Sequence, residues 1–479
     1  MADSIRQMRP RLALNYAALV GIPLAVLFLV LCVGGKFLGP VGPADSGQLS
    51  TVSGAVESAG GAQELQNTAI LLAQICVIML LSRVLGSVAE RIGQPRVIGE
   101  IVAGILLGPS LLGWLAPGPS GFLFPSPGFG VLNALSQLGL VLFMFLVGLE
   151  LNLKRLHEMG RVAVVISHTS IVAPMALGAG LGLYLYPRLS THSVSFAGFA
   201  LFLGIAMSIT AFPVLARILN ERKLIGSRIG TLAIACAAID DVTGWCVLAY
   251  VVGVVRASSS SIPTLVTLCG LALFLAAMIG GARKLFLRIW NSCDRDGELS
   301  DGLKAGVLLL LFLSALATDA LGFHMLFGAF VAGAIMPRDH RFVSRMVAKF
   351  EPIAVLVLLP LFFAYTGLRT SIGQVRGLGT WGICLLIIAV AIAGKLGGTA
   401  IAARMSGMPW RDSVALGALM NTRGLMELVV LNIGLDLGVI SPSLFSMMVV
   451  MAIVTTMMAA PLLHWSRLHS PEKALLAHV

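Results

Sequence analysis

The sequence predicts an all-α membrane protein of about fourteen transmembrane helices, twelve of them in two inverted sets of six. Three observations lead there. Of 479 residues, 57% are hydrophobic and only 11% charged, with a mean hydropathy of +0.94, whereas soluble domains carry about a quarter charged residues. Apolar stretches able to cross about 30 Å of hydrocarbon at ~1.5 Å per residue recur along the whole chain. The basic residues between them crowd onto one side, which accounts for the net charge of +11 by membrane topology and leaves no role for a nucleic-acid partner.

The first stretch, 13–34, follows Arg6, Arg9 and Arg11 but is long for a signal peptide and has no clear small-residue cleavage site, so it reads as an extra anchor helix. A Gly/Ser-rich segment over about 35–66 reads as a flexible external loop. The next spans fall at about 67–85, 97–115, 131–150, 162–186, 196–219 and 229–255, forming one unit over 67–255. A linker unit, 256–302, holds a span at 262–282 and a cytoplasmic loop. The second unit, 303–465, has spans at about 303–319, 321–336, 352–368, 380–402, 411–436 and 442–464. The tail, 466–479, reads as short and cytoplasmic, with no soluble domain attached.

An odd helix between two sets of six makes the second set enter from the opposite side, which is the inverted-repeat arrangement of secondary transporters. Charge supports this parse. Of the 33 Lys and Arg, Lys36, Arg188, Arg256, Arg369 and Arg376 fall outside, Arg217, Lys395 and Arg423 belong to spans, and the rest lie on the cytoplasmic side with both termini. The seven cysteines are scattered singly, without metal-ligand spacing, and read as buried small hydrophobes.

The fifth span of each set is interrupted. In "AMSITAFPVLARIL" (206–219), Pro213 deletes a backbone donor beside the hydroxyls of Ser208 and Thr210. In "GALMNTRGLMELVV" (417–430), Asn421, Thr422, Arg423 and Gly424 interrupt the apolar run. Matching interruptions in two inverted halves point to a midplane site between broken helices. Arg423 and Glu427, four residues apart, share a helical face and could pair to neutralise the helix ends a break exposes.

"CAAIDDVTGW" (236–245) places Asp240 and Asp241 in an otherwise apolar span. Each acid at a membrane-helix centre costs roughly 2.5–3.5 kcal/mol, so a partner, a proton or a purpose is expected. Lys395, in "AVAIAGKLGGTAIAA" (389–403), is the basic counterpart, with Gly394, Gly397 and Gly398 allowing close helix approach. A structural ion pair leaves the second aspartate uncompensated. An intramembrane aspartyl hydrolase needs two converging carboxylates, yet adjacent helical residues point ~100° apart. A passive channel lacks a filter-like segment. Competition between a monovalent cation and a proton for Asp240 and Asp241 fits the pattern better, with Thr210 lining the site and no cofactor needed.

Four motifs in order, "RIGQPRVIGEIVAGILLGPSLLG" (91–113), "SITAFPVLARIL" (208–219), "AAIDDVTGW" (237–245) and "MNTRGLMELVVLNIG" (420–434), resemble the cation:proton antiporter-2 family over about 67–465. The resemblance implies the sodium/proton antiporter-like fold with crossed broken helices, and a homodimer in the cell's inner membrane whose mobile core domain exchanges Na⁺ or K⁺ for H⁺. It further implies Asp241 as the ion-binding acid, Asp240 as the preceding site residue and Lys395 as its charge partner. The Asp-Asp pair with a core Lys resembles electrogenic members, whereas "TRGLMEL" resembles a plant branch often associated with potassium. No GxGxxG domain follows, so dinucleotide regulation is not implied. Among the remaining charges, Glu100 and Glu150 read as snorkelling acids, and Asp319, His324 and Asp436 as solvated groups near external ends.

Overall fold

The computed structural model describes all residues except 1, 39–59, 125–128, 151–159, 192–193, 223, 225–226, 260–263, 294–300, 322, 375–376 and 466–479. The predicted tail and most of the predicted external loop therefore lie outside the described residues, as does the side chain of Glu150. In chain order the helices are α1 (Ala2–Phe37), α2 (Gly60–Arg91), α3 (Arg96–Leu107), the short α4 (Leu112–Leu115) and α5 (Pro117–Leu123), α6 (Phe129–Glu150), α7 (Gly160–Leu189), α8 (Phe196–Ala206) and α9 (Phe212–Glu221). Next come α10 (Arg228–Ser259), α11 (Thr264–Ala277), α12 (Arg283–Cys293), α13 (Asp301–Ala320), α14 (Met325–Ile335), α15 (His340–Ile353) and α16 (Leu359–Arg369). The chain ends in α17 (Leu378–Ile392), α18 (Gly398–Met405), α19 (Trp410–Met420), α20 (Leu425–Asp436) and α21 (Pro442–Trp465).

Eleven helical stretches among the described residues are long and apolar enough to cross a membrane. They coincide with eleven of the fourteen predicted spans, and the other three differ for a common reason. The stretches 196–219 and 411–436 divide into α8 with α9 and α19 with α20, while 321–336 shortens to α14. A composition window counts apolar residues across a break that the backbone does not cross as helix. Helix α2 also begins at Gly60, inside the segment expected to be loop.

Packing separates the helices into two bundles. Helices α2 to α6 pack with α11 to α16, and α7 to α10 pack with α17 to α21, with α1 lying against α7 and α8. In the first bundle, reciprocal glycines bring backbones together. A Cβ at Gly104 of α3 would strike the Ala364 carbonyl and one at Gly367 of α16 the Ile101 carbonyl, while Gly148 of α6 and Gly333 of α14 meet the opposite backbone in the same way. Small residues serve this purpose in lipid, where close van der Waals packing stands in for hydrophobic drive. The guanidinium of Arg338 reaches the carbonyls of Gly148, Leu149 and Ala334, so one cation covers the C-terminal ends of α6 and α14.

The bundles meet along α16 and α20. Arg369 pairs with Asp436 at 2.7 Å and donates to Asn432 Oδ1 at 3.1 Å, while Asn432 Nδ2 donates to Thr366 Oγ1 at 2.8 Å. Asp436 is exposed, in line with the expected solvation, and in addition pairs with Arg369. Two other outlying groups have partners that the sequence did not show. Glu100 is buried with Arg96 Nε 3.6 Å away instead of snorkelling, and His324 Nδ1 accepts from Leu326 N to cap α14. Cysteine burial is mixed: Cys236 and Cys384 are buried, but Cys32, Cys76, Cys246 and Cys269 face outward, where lipid would cover them.

Candidate functional site

Each of the two interrupted spans stops and restarts within a few residues. Residues 207–211 are non-helical between α8 and α9, and residues 421–424 between α19 and α20. Pro213 is the second residue of α9, where a first-turn proline forfeits no helical hydrogen bond, so it starts the second half-helix and does not kink a continuous one. The breaks touch. Ala211 N donates to Thr422 O at 3.0 Å, and Thr210 Oγ1 stands 3.1 Å from Met420 O. Gly424 permits this approach, since a Cβ there would sit 2.8 Å from Val214 Cγ2.

Breaking a helix strands carbonyls at one end and N–H groups at the other. The guanidinium of Arg423 donates to Ala206 O at 3.2 Å and Met207 O at 2.7 Å, covering the last carbonyls of α8. Glu427, in the first turn of α20, lies 3.2 Å from Arg423 Nη1 and puts a negative charge at a helix N-terminus. Thr456 of α21 holds the backbone of the second break, accepting from Arg423 N at 2.9 Å with its hydroxyl 2.8 Å from Arg423 O. At the end of α19, Thr422 Oγ1 donates to Leu419 O at 2.7 Å. One break is therefore compensated by a cation and the other by hydroxyls.

Helix α10 runs unbroken through Asp240 and Asp241, so the two side chains diverge and their environments differ. Asp240 is saturated: Lys395 Nζ, Ser170 Oγ and Thr210 Oγ1 each lie 2.8 Å from Oδ2, and Ser167 Oγ lies 2.5 Å from Oδ1. Asp241 is equally buried, yet its Oδ1 has no donor from the protein. Trp245 Nε1, one turn beyond Asp241 on α10, and the Asn421 amide in the second break are also buried without hydrogen-bond partners. A buried polar atom left unpaired is open to a water, an ion or a proton.

Lys395 reaches Asp240 because of two helix irregularities. It sits in a π-helical turn, Ala393–Gly397, between α17 and α18, a distortion frequent at functional positions. Pro174 lies inside α7 and has no N–H, which frees the carbonyl four residues earlier. That carbonyl, Ser170 O, accepts from Lys395 Nζ at 3.0 Å, and Ser208 O in the first break accepts at 2.5 Å. Gly394 and Gly398 allow the approach, with Cβ positions 2.6 Å from Pro174 Cα and 2.8 Å from Ala173 Cβ, whereas Gly397 has no neighbour within 4 Å and plays no part in it. Gly394→Ala is expected to cost about 1–3 kcal/mol through overpacking, and Gly397→Ala much less. Thermal unfolding of the two purified proteins compares them directly.

The structure thus brings Asp240, Lys395, Thr210 and Ser208 into one cluster and places Asn421, Thr422, Arg423 and Glu427 around the second break. Ser167, Ser170, Pro174 and Thr456 were missed by the sequence reading. The signal for three of them was present in "ISHTSIVAP" (166–174), where hydroxyls precede a helix-interior proline by spacings that put a free carbonyl beside them.

A small cavity of about 10 Å³, room for roughly one water, lies where α3 faces the breaks, lined by Ile98, Ile101, Val214, Arg423, Gly424 and Thr456 among others. Residues 76–465 match the family described as sodium/hydrogen exchanger, transmembrane. The chain belongs to that family. This exchanger is 44% identical over 396 residues to the Na⁺/H⁺ antiporter NhaS4 of Synechocystis sp., a match covering 82% of this chain and 96% of the relative. It is 40% identical to Cation/H⁺ antiporter 17 of Arabidopsis thaliana, covering 85% of this chain but 49% of the plant protein, so the exchanger spans about half that relative's length. Its fold resembles the sodium proton antiporter MjNhaP1 from Methanocaldococcus jannaschii, with a TM-score of 0.62 at 13% identity over 81% of this chain and 94% of the other. The assignment to cation:proton antiporters drawn from the four motifs holds, as does the all-helical antiporter fold.

Proposed function

We infer that this membrane protein is a secondary antiporter that exchanges a monovalent cation for a proton, and that Asp241 is the carboxylate for which the two compete. The observation that carries the site assignment is the contrast between neighbours: Asp240 is saturated by four donors, whereas the buried Oδ1 of Asp241 has none. A buried carboxylate oxygen without a donor is open to a positive species, Na⁺ or K⁺ from one side and H⁺ from the other. Thr210 and the polar groups of Asn421 and Thr422 line the same region, and Lys395 balances Asp240.

Alternating access follows from the two-bundle packing. The site lies wholly within the bundle containing both breaks, and the glycine-knit bundle of α2 to α6 and α11 to α16 supplies a frame past which it can move. The inverted six-plus-six division, the homodimer, both termini in the cytoplasm and residence in the inner membrane complete the reading. In proteoliposomes, an outward or inward gradient of Na⁺, K⁺ or Li⁺ imposed alone is expected to drive opposite proton movement across a pH-sensitive dye's range, with voltage clamped by an ionophore. Cation leakage without proton movement would instead identify a channel.

A further inference from the structure

The hydroxyls of α7 have no part in the reading above, yet they converge on its charged centre. Ser167 and Ser170 are fully buried and flank one carboxylate, the first at Oδ1 and the second at Oδ2 of Asp240. Ser170 also presents its carbonyl, released by Pro174, to Lys395 Nζ, and its hydroxyl stands 3.3 Å from the same nitrogen. One residue therefore grips both members of the ion pair from a single turn of helix. Lys395 in turn has the Ser208 carbonyl besides these, so each partner keeps neighbours of its own.

We infer that Ser167 and Ser170 are positioning residues that hold Asp240 on Lys395 as a constant ion pair, so that Asp241 alone turns over and one proton is exchanged per monovalent cation. The proposal rests on Asp241 being the exchanging carboxylate. The charge balance is simple. The Asp240 and Lys395 pair contributes a fixed −1 and +1 throughout, and Asp241 trades one H⁺ for one M⁺, so no net charge crosses per cycle.

Two physical arguments favour a pair that stays closed. Asp240 loses its ammonium partner if the pair opens, whereas Asp241, with Oδ1 unpartnered, gains a partner on binding either species. Releasing Lys395 leaves an ammonium among carbonyls in a dry interior, where an unpaired charge is costly. The hydroxyls lie on α7, which packs against both α10 and the π-helical turn, so the grip travels with the ion-pair elements and does not depend on contact with the other bundle.

The test uses the full-length protein in proteoliposomes, with Na⁺ and K⁺ each used alone as the probe and voltage set by a thiocyanate gradient. For the wild type, net proton movement should vanish where the cation ratio equals the proton ratio, at every voltage. In Ser167→Ala/Ser170→Ala, with Asp240 left to Lys395 and Thr210 alone, the zero-flux point should move with voltage, and Ser170→Thr, which keeps a hydroxyl, should retain wild-type behaviour. A voltage-dependent zero-flux point in the wild type overturns the fixed pair. Variants with wild-type coupling and wild-type apparent KM overturn the positioning role, even if they are less stable. Should the double variant not reconstitute, Ser167→Ala alone carries the comparison. Loss of all exchange in the wild type would instead count against the antiporter reading, and normal exchange in Asp241→Asn against its site assignment.

Discussion

Asp241→Asn is expected to reduce cation-driven proton movement to the level of protein-free vesicles while leaving thermal unfolding unchanged or slightly raised. The two halves of that expectation have one cause. The buried Asp241 has no protein donor at Oδ1, so any charge it carries there is uncompensated until a cation or proton arrives. Asparagine keeps the shape and removes the charge, which ends competition between cation and proton and also removes a desolvation cost. A site strained for function is commonly stabilised when the function is deleted. Asp240→Asn should behave oppositely in stability, because it strips Lys395 of its counter-ion and turns a saturated cluster into a partly satisfied one. Wild-type exchange by Asp241→Asn would remove Asp241 from the mechanism.

Arg423→Met should have the largest effect on stability, roughly 3–5 kcal/mol, the range for breaking a buried ion pair from one side. Three groups lose their partner at once: the carbonyls of Ala206 and Met207 at the end of α8, and the carboxylate of Glu427. Methionine fills much of the volume, so the loss reports charge and hydrogen bonding more than packing. Arg423→Met/Glu427→Gln should recover part of it, since the second change removes the uncompensated anion but leaves the two carbonyls unpaired. Thermal unfolding of the four proteins forms a double-mutant cycle, and additive losses would show that the two side chains act independently.

Much of the antiporter was legible from patterns that do not need a third dimension. Eleven continuous spans followed from hydropathy because a helix is the simplest way for a single segment to satisfy its backbone in lipid. The breaks were visible as polar or proline-bearing interruptions at matching places in the two sets of spans. The relation of Arg423 to Glu427 was legible from a spacing of four. Where local pattern misled, the cause was the packing around the residue. Glu100 was expected to snorkel and instead lies buried beside Arg96, and the Arg369 partner of exposed Asp436, 67 positions away, left no local sign in the sequence.

The sequence by itself determined that two acids and one base share the membrane interior near two interrupted helices, because charge in an apolar span is expensive wherever the chain goes. Only the tertiary structure decided which neighbours each acid meets. Adjacent positions on a helix differ by about 100°, and that rotation turns Asp240 toward α7 and Lys395, where a proline-freed carbonyl and two serine hydroxyls await it, and turns Asp241 away from all of them. No reading of "DD" distinguishes the two, since the difference lies in which neighbours each direction meets.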